Sequence, residues 1–146
     1  MLIVVFSALT LLALTTLVHY EVMGRMHARL QALHIPSRSK LLVVVFVAFA
    51  AHALEIVLYG VAFYGLARFA DVGTLAGPAG VSLASCFYFS AETFTSLGFG
   101  DLTPTGAVRF LAGVEALNGL VLIGWSASFL YIAMERFWNN GPTRRP

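Results

Sequence analysis

The chain has 146 residues, 59% of them hydrophobic and 11% charged, where soluble domains carry about 25% charged residues, so a water-soluble globular domain is excluded. The mean hydropathy of +0.84 and the short length point to a bilayer crossed only a few times, since each helical crossing takes about 20 apolar residues. The single cysteine, Cys86, excludes an intrachain disulfide, no Cys/His set has zinc-finger spacing, and the net charge of +2 comes without the basic, aromatic-laced face of a nucleic-acid binder.

Residues 1–19 are expected to form an N-terminal transmembrane helix. Met1 to Val18 carries no charged side chain and only Ser7, Thr10, Thr15 and Thr16 as polar interruptions, nearly enough to cross at about 1.5 Å per residue. It lacks the basic start and the A-x-A-like cleavage site of a signal peptide. Residues 20–40 form a basic cytoplasmic loop holding Arg25, Arg29, Arg38 and Lys40. Within it Met23, Met26, Leu30 and Leu33 recur at helical spacing opposite Arg25 and Arg29. That pattern fits an interfacial helix and equally a continuation of the first helix, ended in either case by Pro36.

A second span is expected over 41–67, bounded by Lys40 and Arg68, with Tyr59, Phe63 and Tyr64 at its far end, where aromatic rings settle at a membrane interface. A third is expected over 106–137, closing on Glu135 and Arg136. The basic loop and a tail at 139–146 with Arg144 and Arg145 are both cytoplasmic by the positive-inside rule, which puts the N-terminus and the 68–109 region outside.

Between these spans, Asp71 to Ser82 is rich in Gly, Ala and Pro and reads as an exposed loop. Residues 81–95 are apolar but only about 22 Å long as a helix, too short to span, which makes them a re-entrant half-helix. Such a helix must lead into non-helical backbone that is buried in protein or lines a wet cavity. Residues 96–101, Ser96-Leu97-Gly98-Phe99-Gly100-Asp101, follow, then Pro104. Alternating glycines allow φ > 0, so the carbonyls of Ser96, Leu97, Gly98 and Phe99, with the Ser96 hydroxyl, can face one axis and replace an ion's hydration shell. One strand cannot surround an ion, whereas four copies about an axis can.

Residues 86–104 resemble the pore helix and filter of potassium channels, whose T-V-G-Y-G-D signature corresponds to Ser96 through Asp101. Ser90-Ala91-Glu92-Thr93 resembles the pore helix of small bacterial pore-only channels, and a looser likeness extends over 41–134. The resemblance implies an all-α membrane protein. Each subunit would have three transmembrane helices, a re-entrant pore helix and a selectivity-filter loop, and four subunits would form one pore. K+ would be held at the filter only, as the permeant ion, without cofactor or bond chemistry. Tyr88, Glu92, Thr95 and Asp101 would support the filter. Glu92 would lie beside Asp101, two acids that favour sharing one proton, and Tyr88 would stand in for a Trp that donates to that Asp. Gly119 aligns with the family's inner-helix hinge, and close packing is its other reading. Phe99 replaces the usual Tyr, as in some two-pore-domain repeats, Phe89 stands where Trp is common, and Ser96 replaces Thr while keeping a hydroxyl.

His52, Glu55 and Tyr59 share one face of the second helix, Glu55 and Glu115 fall in the outer half of their spans, and Asn118 also interrupts the third. Ionisable groups there face the protein interior. They are read as a hydrogen-bonded, pH-sensitive packing layer, with His19, His27 and His34 as cytoplasmic titrating groups. The function expected is passive potassium conduction by a homotetramer in a bacterial inner membrane, with anionic lipids at its basic cytoplasmic side. The alternatives are a weakly selective monovalent cation channel and, from another class, an intramembrane metal or redox protein built on His52, Glu55 and Glu115. No helix carries the regular Arg/Lys repeat of a voltage sensor.

Overall fold

The structure is a computed structural model that describes residues 1–32, 34–78 and 80–139. Leu33 of the periodic Met/Leu pattern and the tail from residue 140 onward, with Arg144 and Arg145, lie outside the described residues. Among the described residues the helices are, in order, α1 (Leu2–Ala32), α2 (Ser37–Phe69), α3 (Leu83–Phe94) and α4 (Val108–Asn139). Three of them, α1, α2 and α4, are long and apolar enough to cross a membrane.

The region expected as a basic loop over 20–40 is largely helix. α1 runs without a break through Tyr20 to Ala32, because its buried positions form one stripe: Val4, Ala8, Leu11, Thr15, His19, Met23, Met26 and Leu30. Steps of three and four residues keep these on a single face, and extending the helix keeps Met23, Met26 and Leu30 in register to pack near Val44 and Ala133. Arg25 and Arg29 stay exposed. Continuation of the first helix is therefore the reading the structure supports, with Pro36 serving as the N-cap residue of α2.

α1 and α4 both run antiparallel to α2, so apolar clusters form at two levels. At one end Val4, Ala8 and Leu11 meet Tyr59, Phe63, Leu66, Cys86, Phe89 and Leu111. At the other, Met23, Met26 and Leu30 meet Val44 and Ala133, with Lys40 Nζ 5.6 Å from the centre of the Phe137 ring and Arg136 lining a cavity with Leu30 and Ala133. Between them lies a polar layer.

The 71–82 segment differs from a free loop. Leu75–Ala76 (β1) pairs antiparallel with Thr103–Pro104 (β2), Ala107 N–H donates to the Val72 carbonyl at 2.8 Å, and Leu75 is buried. These bonds tie the segment before α3 to the segment after the glycines. Such a ladder joins residues nearly thirty positions apart and leaves no period in the sequence.

α3 begins at Ser82, whose hydroxyl accepts from the Ser85 N–H at 3.0 Å, an ordinary N-cap. Its far end presses on α4. At Gly119 a methyl group would overlap the Phe94 carbonyl, so contact between two backbones sets the requirement for glycine there, and α4 passes through Gly119 without interruption. Gly119→Ala is expected to lower the thermal stability of the detergent-solubilised protein by about 1–3 kcal/mol, the usual cost of overpacking, despite alanine's better helix propensity. Gly124→Ala, where nothing lies within 4 Å of the added atom, should leave stability unchanged or raise it slightly. Equal effects at both positions would rule out the contact as the reason.

Candidate functional site: the segment between α3 and α4

The turn out of α3 satisfies its own backbone. Ser96 N–H donates to the Thr93 carbonyl at 3.0 Å and Leu97 N–H to the Glu92 carbonyl at 2.8 Å. Together these make a Schellman cap with Ser96 as its left-handed residue at φ 57°. Glycine is the usual occupant of that position, and a residue with Cβ pays on the order of 1 kcal/mol there. Thr95 closes the last turn through its hydroxyl, which donates to the Ala91 carbonyl at 2.8 Å.

Positive φ then recurs at every second residue, with Gly98 at 54° and Gly100 at 81°. The two glycines were legible from the sequence; Ser96 was not, because its conformation follows from the helix cap. Alternation of hand swings successive peptide planes so that carbonyls turn toward one side of the strand.

Glu92 holds this strand in place. Its carbonyl accepts from Leu97 N–H and, at 3.3 Å, from Gly98 N–H, and its carboxylate accepts from Phe99 N–H at 3.1 Å. One residue thus partners three consecutive amides. Asp101 takes other partners: its Oδ1 accepts from the Tyr88 hydroxyl at 3.2 Å and from Leu102 N–H at 3.1 Å. Among the described residues no hydrogen bond joins the Glu92 and Asp101 carboxyls, and each takes partners of its own. The Tyr88 ring lies parallel to that of Phe99, with centroids 6.4 Å apart, while Phe89 packs edge-on against Phe63 of α2 at 5.0 Å. An open cavity of about 310 Å3 flanks the strand, bordered by Glu92, Ser96, Gly98, Gly100 and Ala112.

A family model described as "ion channel" matches residues 41–136. The chain belongs to the ion channel family. No curated protein and no solved structure matches it. The matched region of this ion channel covers nearly all of α2, all of α3 with the strand that follows, and α4 almost to its end, and leaves α1 outside.

α1 is attached to the channel region through the polar layer. Asn118 Nδ2 donates to Thr15 Oγ1 at 2.7 Å and to the Tyr59 hydroxyl at 3.2 Å. His19 Nδ1 and His52 Nδ1 each lie 2.9 Å from a different oxygen of Glu55, and Ser126 Oγ lies 3.3 Å from His19 Nε2. His19, expected at the cytoplasmic side, is fully buried here. Its place in the Thr15–His19–Met23 stripe is the sequence signal that locates it. Glu115 does not join His52 and Glu55. It meets the Ser90 hydroxyl of α3, which also donates to the Ile56 carbonyl at 2.8 Å.

Burial pushes the Glu92 carboxyl above the ordinary glutamate range and neighbouring Asp101 adds to this, while the Phe99 N–H pulls it partly back. A raised value in the fold means the folded chain holds this proton more tightly than the unfolded chain. The resulting stability is complete below about pH 4.3, the ordinary glutamate value, and is lost as pH rises through the elevated folded value. The thermal midpoint of the wild type minus that of Glu92→Gln is therefore expected to fall as pH is raised through that window. A difference that rises with pH would contradict the assignment.

Proposed function

We propose that the chain forms a potassium-selective channel in which four copies surround a common axis, residues 96–101 form the filter and α3 is the re-entrant pore helix. The observation that carries this reading is the alternation of positive φ at Ser96, Gly98 and Gly100, braced through Glu92. It supports a row of carbonyls able to stand in for an ion's water shell. The carbonyl end of the α3 dipole at Thr95 adds negative potential where a cation would enter that row.

One strand supplies a quarter of such a cage. In the single chain Leu97 and Phe99 are 59% and 66% exposed, large apolar surfaces that packing against neighbouring copies would remove from water. The clustered basic side chains of Arg25, Arg29, Lys40 and Arg136 favour an orientation with that end in the cytoplasm and the N-terminus outside, next to anionic lipid headgroups. α1 then lies outside the pore ring, on the outer helix. Phe99 has no hydroxyl to brace the filter, so the Tyr88 ring and the Glu92 carboxylate carry that role.

Proteoliposomes with K+ or Na+ gradients test the reading. The wild type should pass K+ over Na+ by tenfold or more, a difference of at least about 1.4 kcal/mol. Gly100→Ala, which puts a Cβ on a left-handed position, should lose that preference while remaining assembled. Equal K+ and Na+ flux through the wild type would favour a weakly selective cation channel. Cross-linking should give four chains per particle, and a stable monomer as the sole species would refute the pore.

A further inference from the structure

We propose that His19, His52 and Glu55 form a binding site for a divalent transition metal of the zinc class, one that fastens α1 to the channel region. The three side chains offer two imidazole nitrogens and a carboxylate oxygen, all within 4.8 Å of one another. His52 and Glu55 stand one turn apart on α2, and His19 reaches in from α1. Two histidines and one carboxylate are a recurrent three-residue ligand set for zinc, with a fourth position left for water.

The three groups face one another across the junction of α1 and α2. Each imidazole turns Nδ1 toward a different Glu55 oxygen at 2.9 Å, so both ring lone pairs face the same carboxylate once the Nδ1 protons leave. A neutral ring carries its proton on Nε2 instead of Nδ1, and a charged ring releases one to water. Bonds of about 2.0–2.2 Å to each ligand atom then require ligand atoms that lie within 4.8 Å of one another to close around the ion by side-chain rotation.

The surroundings fit a ligating histidine. Ser126 Oγ sits 3.3 Å from His19 Nε2 and is placed to accept the Nε2–H, the outer hydrogen bond that fixes a metal-binding imidazole's tautomer. Stacking on His52 at 5.2 Å and the Trp125 ring at 5.3 Å hold the His19 ring in position. Glu55 and His19 are fully buried, and among the described residues the two histidines are the partners of the Glu55 carboxylate, with no Lys or Arg beside it, so a bound cation would add positive charge that neutral imidazoles do not supply. His52 is partly exposed and borders a cavity of about 440 Å3 between α2, the end of α3 and α4, which supplies an entry path and room for a water ligand.

The site is separate from the filter and independent of its ion. Purified full-length protein in detergent, stripped with a chelator, is titrated with Co2+ and Zn2+. One ion per chain is expected, with visible Co2+ ligand-field bands of a mixed nitrogen and oxygen site and a rise in thermal midpoint with Zn2+. His52→Ala and Glu55→Gln should each weaken binding by about 100-fold or more, and Ser126→Ala by about tenfold, the effect of losing an outer hydrogen bond. Glu115→Gln and the double replacement of exposed His27 and His34 by Ala should leave binding intact, and both keep all three ligands. Binding well below one ion per chain, unchanged affinity in His52→Ala, or loss of binding in the His27/His34 variant would overturn the proposal. None of these readouts uses potassium flux, so failure here and failure of the channel reading are distinguishable.

Discussion

Backbone amides that leave a helix must find partners, and in this chain Glu92 provides them for three consecutive residues. Its carbonyl takes the Leu97 and Gly98 amides and its carboxylate takes that of Phe99. Those bonds use the N–H edge of the strand, and among the described residues no hydrogen bond is accepted by the carbonyls of Ser96 to Phe99. The filter proposed for this segment would need that division, since a carbonyl already engaged within the chain has less to offer an ion. The Schellman cap at Ser96 belongs to the same arrangement: ending α3 and starting the alternation of hand are one event, at the modest cost of a non-glycine left-handed residue.

Around this strand, rigidity comes from two directions. Behind it, α3 is pressed onto α4 at Gly119, where the Phe94 carbonyl takes the space of a side chain. Beyond it, the β1–β2 ladder and the bond from Ala107 N–H to the Val72 carbonyl clip both ends of the outer segment together. Asp101 sits at the junction, receiving Tyr88 from α3 and the Leu102 amide from the exit strand. The Gly119 contact is steric, whereas the fastenings around Asp101 and Val72 are polar and use backbone groups that lie outside the helices.

α1 is attached differently. Its buried stripe is apolar at both ends and polar in the middle, where Thr15 and His19 meet Asn118, Glu55 and Ser126. Apolar packing alone specifies register weakly in a lipid environment, because lipid tails compete equally for a leucine. Hydrogen bonds at Thr15 and His19, one turn apart, specify it strongly, since any slip takes from Asn118 and Glu55 the partners that α1 supplies. The metal proposed at His19, His52 and Glu55 would strengthen this same junction.

The sequence by itself determined the parts that depend on period and local chemistry. Long apolar runs meant membrane-length helices, the Ser96–Asp101 hexapeptide with its glycines marked the segment that leaves α3, and the 41–67 and 106–137 runs lie within or nearly within α2 and α4. What sequence could not decide was which polar groups meet. Glu92 and Asp101 are brought close, yet one is consumed by Phe99 and the other by Tyr88. Glu115 and Glu55 interrupt similar apolar runs, yet one answers to Ser90 and the other to two histidines. His19 is separated from Glu55 by thirty-six positions and by an intervening turn. Helical periodicity gives the face a residue occupies on its own helix and says nothing of the rotation and height at which the next helix packs. Pairing across helices is set by the close fit of all the side chains in the interface together, and that fit exists only in the tertiary structure.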